Sequence, residues 1–258
     1  MDSLPLLSFA SGVGVRDSPA GSVAASGSGD DVPVDVVEAR ARVLARVARQ
    51  IPAAADRRSW VRAAVDGVDG AGKSTFADEL AEVLTGAGRT VVRASVDGFH
   101  RCRAERYRRG RDSWQGFWLD SFDYPRLRAE LLDPLGPGGS GRYRPAVHDV
   151  ASDRYLDLLW RHADPGAVVL VDGVFLHRDE LAGIWDFSIF LDVPFQVTAA
   201  RMAARDGSDP DPDVPSMQRY LAAQRHYLDT CMPCQRASLV IDNTDLRRPV
   251  IVHPAGPQ

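Results

Sequence analysis

The chain has 258 residues, a formal net charge of −4, and 45% hydrophobic and 26% charged residues, which is the make-up of an ordinary globule with room for one good-sized domain. The mild acidity, with a pI near 5.9, argues against non-specific nucleic-acid binding as the main task, and no apolar run approaches the roughly 18–20 residues of a membrane-spanning helix. Met1-Asp2-Ser3-Leu4-Pro5 lacks the basic start of a secretory signal, so the expected setting is the cytoplasm.

Residues 1–32 are rich in Gly, Ser, Ala and Val without periodicity and read as a flexible leader to a domain over 33–258. From Asp35 onward, Val37, Leu44, Val47 and Ile51 recur at helical spacing, with Asp35 and Glu38 placed as a start signal; this predicts a helix of about sixteen residues. Five short apolar runs follow: Trp60–Val65, Val91–Val96, Ala167–Val171, Phe187–Leu191 and Ser238–Ile241. Continuous rather than alternating hydrophobicity suits strands covered on both faces of a parallel sheet. Helical patterns over Ser74–Leu84, Pro125–Leu135, Phe195–Arg205 and Ser216–Leu228 separate the runs. The expected class is therefore α/β, a doubly wound, mainly parallel five-stranded sheet with flanking helices. The connection from Val96 to Ala167 is long enough to carry structure of its own.

Each run ends in an aspartate: Asp66, Asp97, Asp172, Asp192 and Asp242. Ligands of open parallel sheets gather at the carboxyl ends of the strands, so the five mark one edge as the working edge, with loop or helix capping as the alternative for any one of them.

Of 31 basic side chains only Lys73 is a lysine. It lies in Gly67-Val68-Asp69-Gly70-Ala71-Gly72-Lys73-Ser74-Thr75, which matches the phosphate-binding pattern GxxxxGK[ST] between an apolar strand and an amphipathic helix. A loop closed around a triphosphate accommodates a slim ammonium stem where a planar guanidinium would collide. Gly67, Asp69, Gly70, Ala71, Gly72, Lys73, Ser74 and Thr75 are thus read as nucleotide-binding, with backbone N–H groups and the helix start facing the phosphates. Lys73 would neutralise the β- and γ-phosphates and Ser74 would give an oxygen to Mg²⁺. Asp172, at the tip of a buried strand, is the second metal-holding candidate, a loop cap being its alternative. The cofactors expected are ATP and Mg²⁺.

Ser95-Val96-Asp97-Gly98-Phe99-His100, an arginine-dense segment over 101–111, and Ser121-Phe122-Asp123-Tyr124-Pro125 follow in order. With this set the chain resembles the uridine kinase-like branch of the P-loop kinases, which groups with phosphoribulokinase and bacterial pantothenate kinase, from about Ala63 to Asp245. The resemblance implies a P-loop fold with a small lid near 201–217. It makes Asp97 the catalytic base and Asp123 the carboxylate that takes two vicinal hydroxyls, an N-cap being the alternative for Asp123. Phe122, Tyr124 and His100 would pack on the rest of the substrate, and Tyr143 and His148 correspond loosely to a base-recognition segment. Arg201 and Arg205, one helical turn apart, match lid arginines that neutralise the transferred group, with a solvated helix face as the alternative. Asn243 falls beside the adenine.

The expected activity is ATP-dependent phosphoryl transfer to a hydroxyl of a small metabolite. A nucleoside such as uridine comes first, a pantothenate-like or sugar acceptor second, and a non-catalytic nucleotide-binding module is the competing class. The lid continues Gly207-Ser208-Asp209-Pro210-Asp211-Pro212-Asp213, acidic where uridine kinases carry further arginines. The segment over 101–111 reads as a helix facing solvent or substrate rather than an RNA patch. The partner expected is a small molecule, with no nucleic acid and no membrane, and self-association is left open. Cys231-Met232-Pro233-Cys234 has no second metal-binding pair nearby and reads as reduced, structurally incidental thiols, with a redox role as the alternative.

Overall fold

A computed structural model of the chain describes residues 34–53 and 59–252; the leader read over 1–32 lies outside them. Helix α1 (Val34–Gln50) precedes strand β1 (Val61–Gly67), helix α2 (Lys73–Gly86) and strand β2 (Val91–Ser95). The long connection then opens with a 3₁₀ turn over Val96–Phe99 and three short helices, α3 (Arg103–Arg106), α4 (Trp114–Asp120) and α5 (Tyr124–Leu127). It closes with four two-residue strands, β3 (Arg142–Tyr143), β4 (His148–Asp149), β5 (Arg154–Tyr155) and β6 (Arg161–His162). Strands β7 (Val168–Gly173) and β8 (Phe187–Asp192), helices α6 (Phe195–Asp206), α7 (Pro215–Cys231) and α8 (Pro233–Arg236), and strands β9 (Leu239–Asp242) and β10 (Val250–Val252) complete the order.

The main sheet runs β10-β9-β8-β1-β7-β2. All neighbours are parallel except β10, which pairs antiparallel with β9. The doubly wound, mainly parallel expectation holds, with six strands instead of five. The sixth was not read because its three residues, Val250-Ile251-Val252, sit half-exposed at the sheet edge and carry no buried run. The chain winds first to one side of β1, through β2 and β7, and then to the other, through β8 and β9, so β1 is the strand from which both halves depart.

Alternate residues of the inner strands feed two separate cores, which is why their sequences are continuously apolar. Ala63, Val65, Leu170, Ile189, Leu191 and Ile241 pack with Phe76, Leu80 and Leu84 of α2 and with Leu44, Val47 and Ile51 at the end of α1. Ala64, Val169, Val171, Phe190 and Val240 face Phe99, Phe117, Phe122, Leu131, Phe175 and Tyr227. A fully buried side chain of this size contributes roughly 1.5–3 kcal/mol, so α1 is held by its apolar stripe rather than by local propensity. The helix read over Pro125–Leu135 begins one residue earlier, and α5 passes into a π-helical turn over Arg128–Leu132. It stops short of Leu135 because Pro134 has no N–H to continue the ladder.

No helix among the described residues is long and apolar enough to cross a membrane. The three cysteines are free. Burial pushes the Cys234 thiol up to about 11 and the Cys231 thiol upward as well, opposite to the depression that marks a reactive thiolate.

Candidate active site

Strand β1 hands the chain to a loop that returns at once into α2. Gly72 caps that helix at φ 88° with no side chain bonding its first amides, which leaves the N–H groups of the first turn for an incoming anion. Gly70, at φ 77°, lets the loop pass under α6: a Cβ there would lie 2.6 Å from the Thr198 carbonyl oxygen. The loop is braced from outside. Gln224 of α7 accepts from the Asp69 N–H at 3.0 Å and donates to the Asp69 carboxylate at 2.9 Å, and Asn243 donates to the Ala71 carbonyl at 2.7 Å. Burial raises the Asp69 pKa against the pull of Lys73 and Arg205. Lys73 Nζ donates to the Val68 carbonyl at 2.8 Å and lies 4.0 Å from Asp69.

At the ends of β7 and β2 the acidic groups gather. Ser74 Oγ donates to Asp172 at 2.6 Å, and the second Asp172 oxygen accepts from Arg93 at 2.8 Å. A hydroxyl and a carboxylate set side by side are the hard oxygen donors that magnesium takes while keeping its remaining places for phosphate and water. Together with the uncapped helix start, the residues fit a magnesium-bound nucleotide.

Asp97 stands in the 3₁₀ turn after β2. Its N–H is held by Ser95 Oγ at 3.3 Å, its carbonyl accepts from His100 Nδ1 at 2.9 Å, and its carboxylate keeps about 25% exposure. Burial, then Asp172 and Asp69, push its pKa up to about 7 against Lys73 and Arg205. Burial also holds His100 down to about 3. The ring is therefore a neutral imidazole, packed at a tilt with its centroid 4.4 Å from that of Phe122.

The other site residues read from the sequence divide. Thr75 is exposed on the first turn of α2. Asp123 accepts from the Arg126 N–H at 3.1 Å and so caps α5. Tyr124 is buried, its phenol pushed up by burial, with Arg178 over its ring at 4.9 Å. Tyr143 is buried in β3. His148 in β4 lies 3.4 Å from Asp153 and is lowered in pKa by burial. Arg205 pairs with Asp206 at 2.7 Å and acts electrostatically on Asp69 and Asp97. Arg201 instead donates to the carbonyls of Asn243 and Thr244, both at 2.8 Å, and of Gly70 at 3.4 Å. Asn243 is fully buried and spends its amide on the loop and on Arg40.

Of the five strand-end aspartates, Asp97 and Asp172 join Lys73 and Ser74. Asp66 lies in a buried node, accepting from Gly67 N–H at 2.7 Å, from His177 Nδ1 at 2.7 Å and from the Tyr227 hydroxyl. Asp192 and Asp242 sit in register on β8 and β9, and Asp242 bonds the Thr244 N–H at 2.8 Å.

Sequence reasoning missed Arg93, Gln224 and Tyr227. Gln224 carried a signal, a polar residue on the helix face otherwise formed by Met217, Leu221, Tyr227 and Cys231.

A family model described as Phosphoribulokinase / Uridine kinase family matches residues 63–246. Among solved structures, a possible uridine kinase from Bacillus stearothermophilus is 24% identical with a TM-score of 0.60, the match covering 78% of this chain and 96% of that one. A provisionally assigned fructose transport system kinase from Silicibacter sp. TM1040 is 25% identical with a TM-score of 0.52, over 75% and 94%. Phosphoribulokinase from Rhodobacter spheroides is 16% identical with a TM-score of 0.51, over 72% and 71%. No curated protein matches.

Proposed function

The chain belongs to the phosphoribulokinase and uridine kinase family, which makes it a P-loop kinase acting on a small metabolite, and on that premise we propose how its residues divide the work. MgATP supplies the γ-phosphoryl group. The first-turn amides of α2 and Lys73 hold and neutralise the phosphate oxygens, Lys73 leaving the Val68 carbonyl to do so. Ser74 and Asp172 hold the magnesium ion. Asp97 takes the proton of the acceptor hydroxyl on a carboxylate oxygen, and a pKa near 7 matches a base working near neutrality. Because phosphoryl transfer needs little covalent help, aligning that hydroxyl counts for as much as removing its proton. Arg205 adds positive charge near the reacting group, while Arg201 ties the root of the lid to the loop after β9. The observation that carries the reading is the 2.6 Å contact of Ser74 with Asp172 beside Lys73 and a half-open Asp97.

Two acceptor readings follow. A nucleoside such as uridine rests on Phe122, Asp123, Tyr143 and His148. A sugar or pantothenate-like acceptor, which needs no contact to a base, is favoured by the burial of Tyr143 of β3 in the core.

The test has two readouts. MgATP at about 100 times its dissociation constant should stabilise the protein by roughly 2.7 kcal/mol, a rise of about 5–10 °C in melting temperature, and Lys73→Ala should abolish the rise. ADP release measured with uridine, pantothenate and sugars should identify an acceptor. A wild-type protein that shows no thermal response to MgATP would sink the reading.

A further inference from the structure

Given the kinase reading above, we propose that the acceptor carries an anionic group, a carboxylate or a phosphate monoester, held between Arg106 of α3 and Arg219 of α7. Both residues are buried, at 8% and 7% exposure, and the Nε–H of each has no hydrogen-bond partner. Arg219 makes no ion pair with a carboxylate among the described residues. Its Nη1 donates to the Arg111 carbonyl, and its guanidinium lies among the rings of Tyr107, Phe117 and Tyr220 at 4.7, 5.7 and 5.9 Å. Of its charged neighbours, Arg106 repels it, and the exposed Asp112 contributes the smallest effect. Arg106 has one carboxylate, Asp153 at 3.5 Å, and that carboxylate also accepts from the Arg103 N–H at 2.7 Å and lies 3.4 Å from His148.

The Tyr107 ring joins the pair, standing 5.6 Å from the Arg106 guanidinium and 4.7 Å from that of Arg219. Arg106 reaches toward the turn that carries the base: its partner Asp153 lies 3.4 Å from His148, and Val147 next to that histidine donates to the Gly98 carbonyl at 2.7 Å. Arg219 lies on α7, which also carries Gln224, the residue bound to Asp69. Two buried, mutually repelling guanidiniums, of which only Arg106 has a carboxylate partner, are a costly arrangement unless an anion completes it. The planar fork of each is suited to carboxylate and phosphate oxygens, and the aromatic rings hold both forks in place beforehand.

The test follows the side-chain Nε–H resonances of the MgADP-bound protein while inorganic phosphate or acetate is added. Both arginine signals should shift, and assignment uses Arg106→Gln and Arg219→Gln. In parallel, acceptors are compared in pairs matched except for charge, ribose 5-phosphate against ribose and pantothenate against panthenol, with uridine as the neutral nucleoside. The charged member of one pair should be used at least about 100-fold more efficiently, and which pair responds separates a phosphate from a carboxylate. Arg219→Gln should raise its KM about 10- to 100-fold while the KM for ATP stays within about twofold, and Arg219→Lys should recover part of the loss. If Arg219→Gln does not fold, Arg106→Gln and the wild-type titration decide the matter. Unshifted Nε–H signals, or equal use of the neutral members, overturn the proposal while leaving the kinase reading intact. Loss of all MgATP binding overturns the kinase reading instead.

Discussion

Replacing Asp97 by asparagine should stop turnover and, at alkaline pH, make the protein more stable. The carboxyl is raised from an ordinary value of 3.8 to about 7, so the native state binds its proton more tightly than the unfolded chain does. Stability is then fullest below the unfolded pKa and is lost as pH rises between about 4 and 7, since the unfolded chain ionises first. A shift of about three units is worth about 4 kcal/mol at about 1.4 kcal/mol per unit. The partial exposure of the group and relaxation around it make half of that a fair expectation, about 2 kcal/mol or roughly 4–8 °C in a domain of this size. Asparagine is spared the cost. Nucleotide-free melting curves should therefore show Asp97→Asn and wild type together near pH 4 and the variant ahead by several degrees at pH 8. MgATP should still stabilise the variant. A variant no more stable than wild type at pH 8 refutes the electrostatic account of Asp97, and undiminished ADP release refutes its role as base.

Two further outcomes test the scaffold. Gly70→Ala places a Cβ 2.6 Å from the Thr198 carbonyl at a residue with φ of 77° and should cost about 1–3 kcal/mol in urea unfolding, with an unchanged midpoint counting against the close approach of α6. Gln224→Leu strands the buried Asp69 carboxylate and its N–H and should cost about 1–3 kcal/mol; the same urea measurement checks it, and a neutral result means that water replaces the amide.

The parts of the molecule legible in the sequence are those set by local pattern. Five strands were readable because each carries a short apolar run, continuous where both faces are buried and broken by Arg93 in the edge strand β2, and the phosphate loop because its residues are contiguous and lead straight into α2. The two-residue strands β3 to β6 have no periodicity to read. Arg93 and Gln224 were hidden for a different reason, because their partners Asp172 and Asp69 are 79 and 155 positions away, and only the pairing of β2 with β7 and the packing of α7 against the loop bring them together. Arg201 and Arg205 share a helix and a spacing, yet their ends diverge, because the carbonyls after β9 lie within reach of one and the acidic cluster within reach of the other.

Lys73 carries the sole ε-amine in these 258 residues, and it is 11% exposed and tethered to the Val68 carbonyl. Amine-selective acylation therefore has one side-chain target, sitting where the triphosphate would lie. Mass added at that position reports how many molecules stand empty, with no background from surface lysines to subtract.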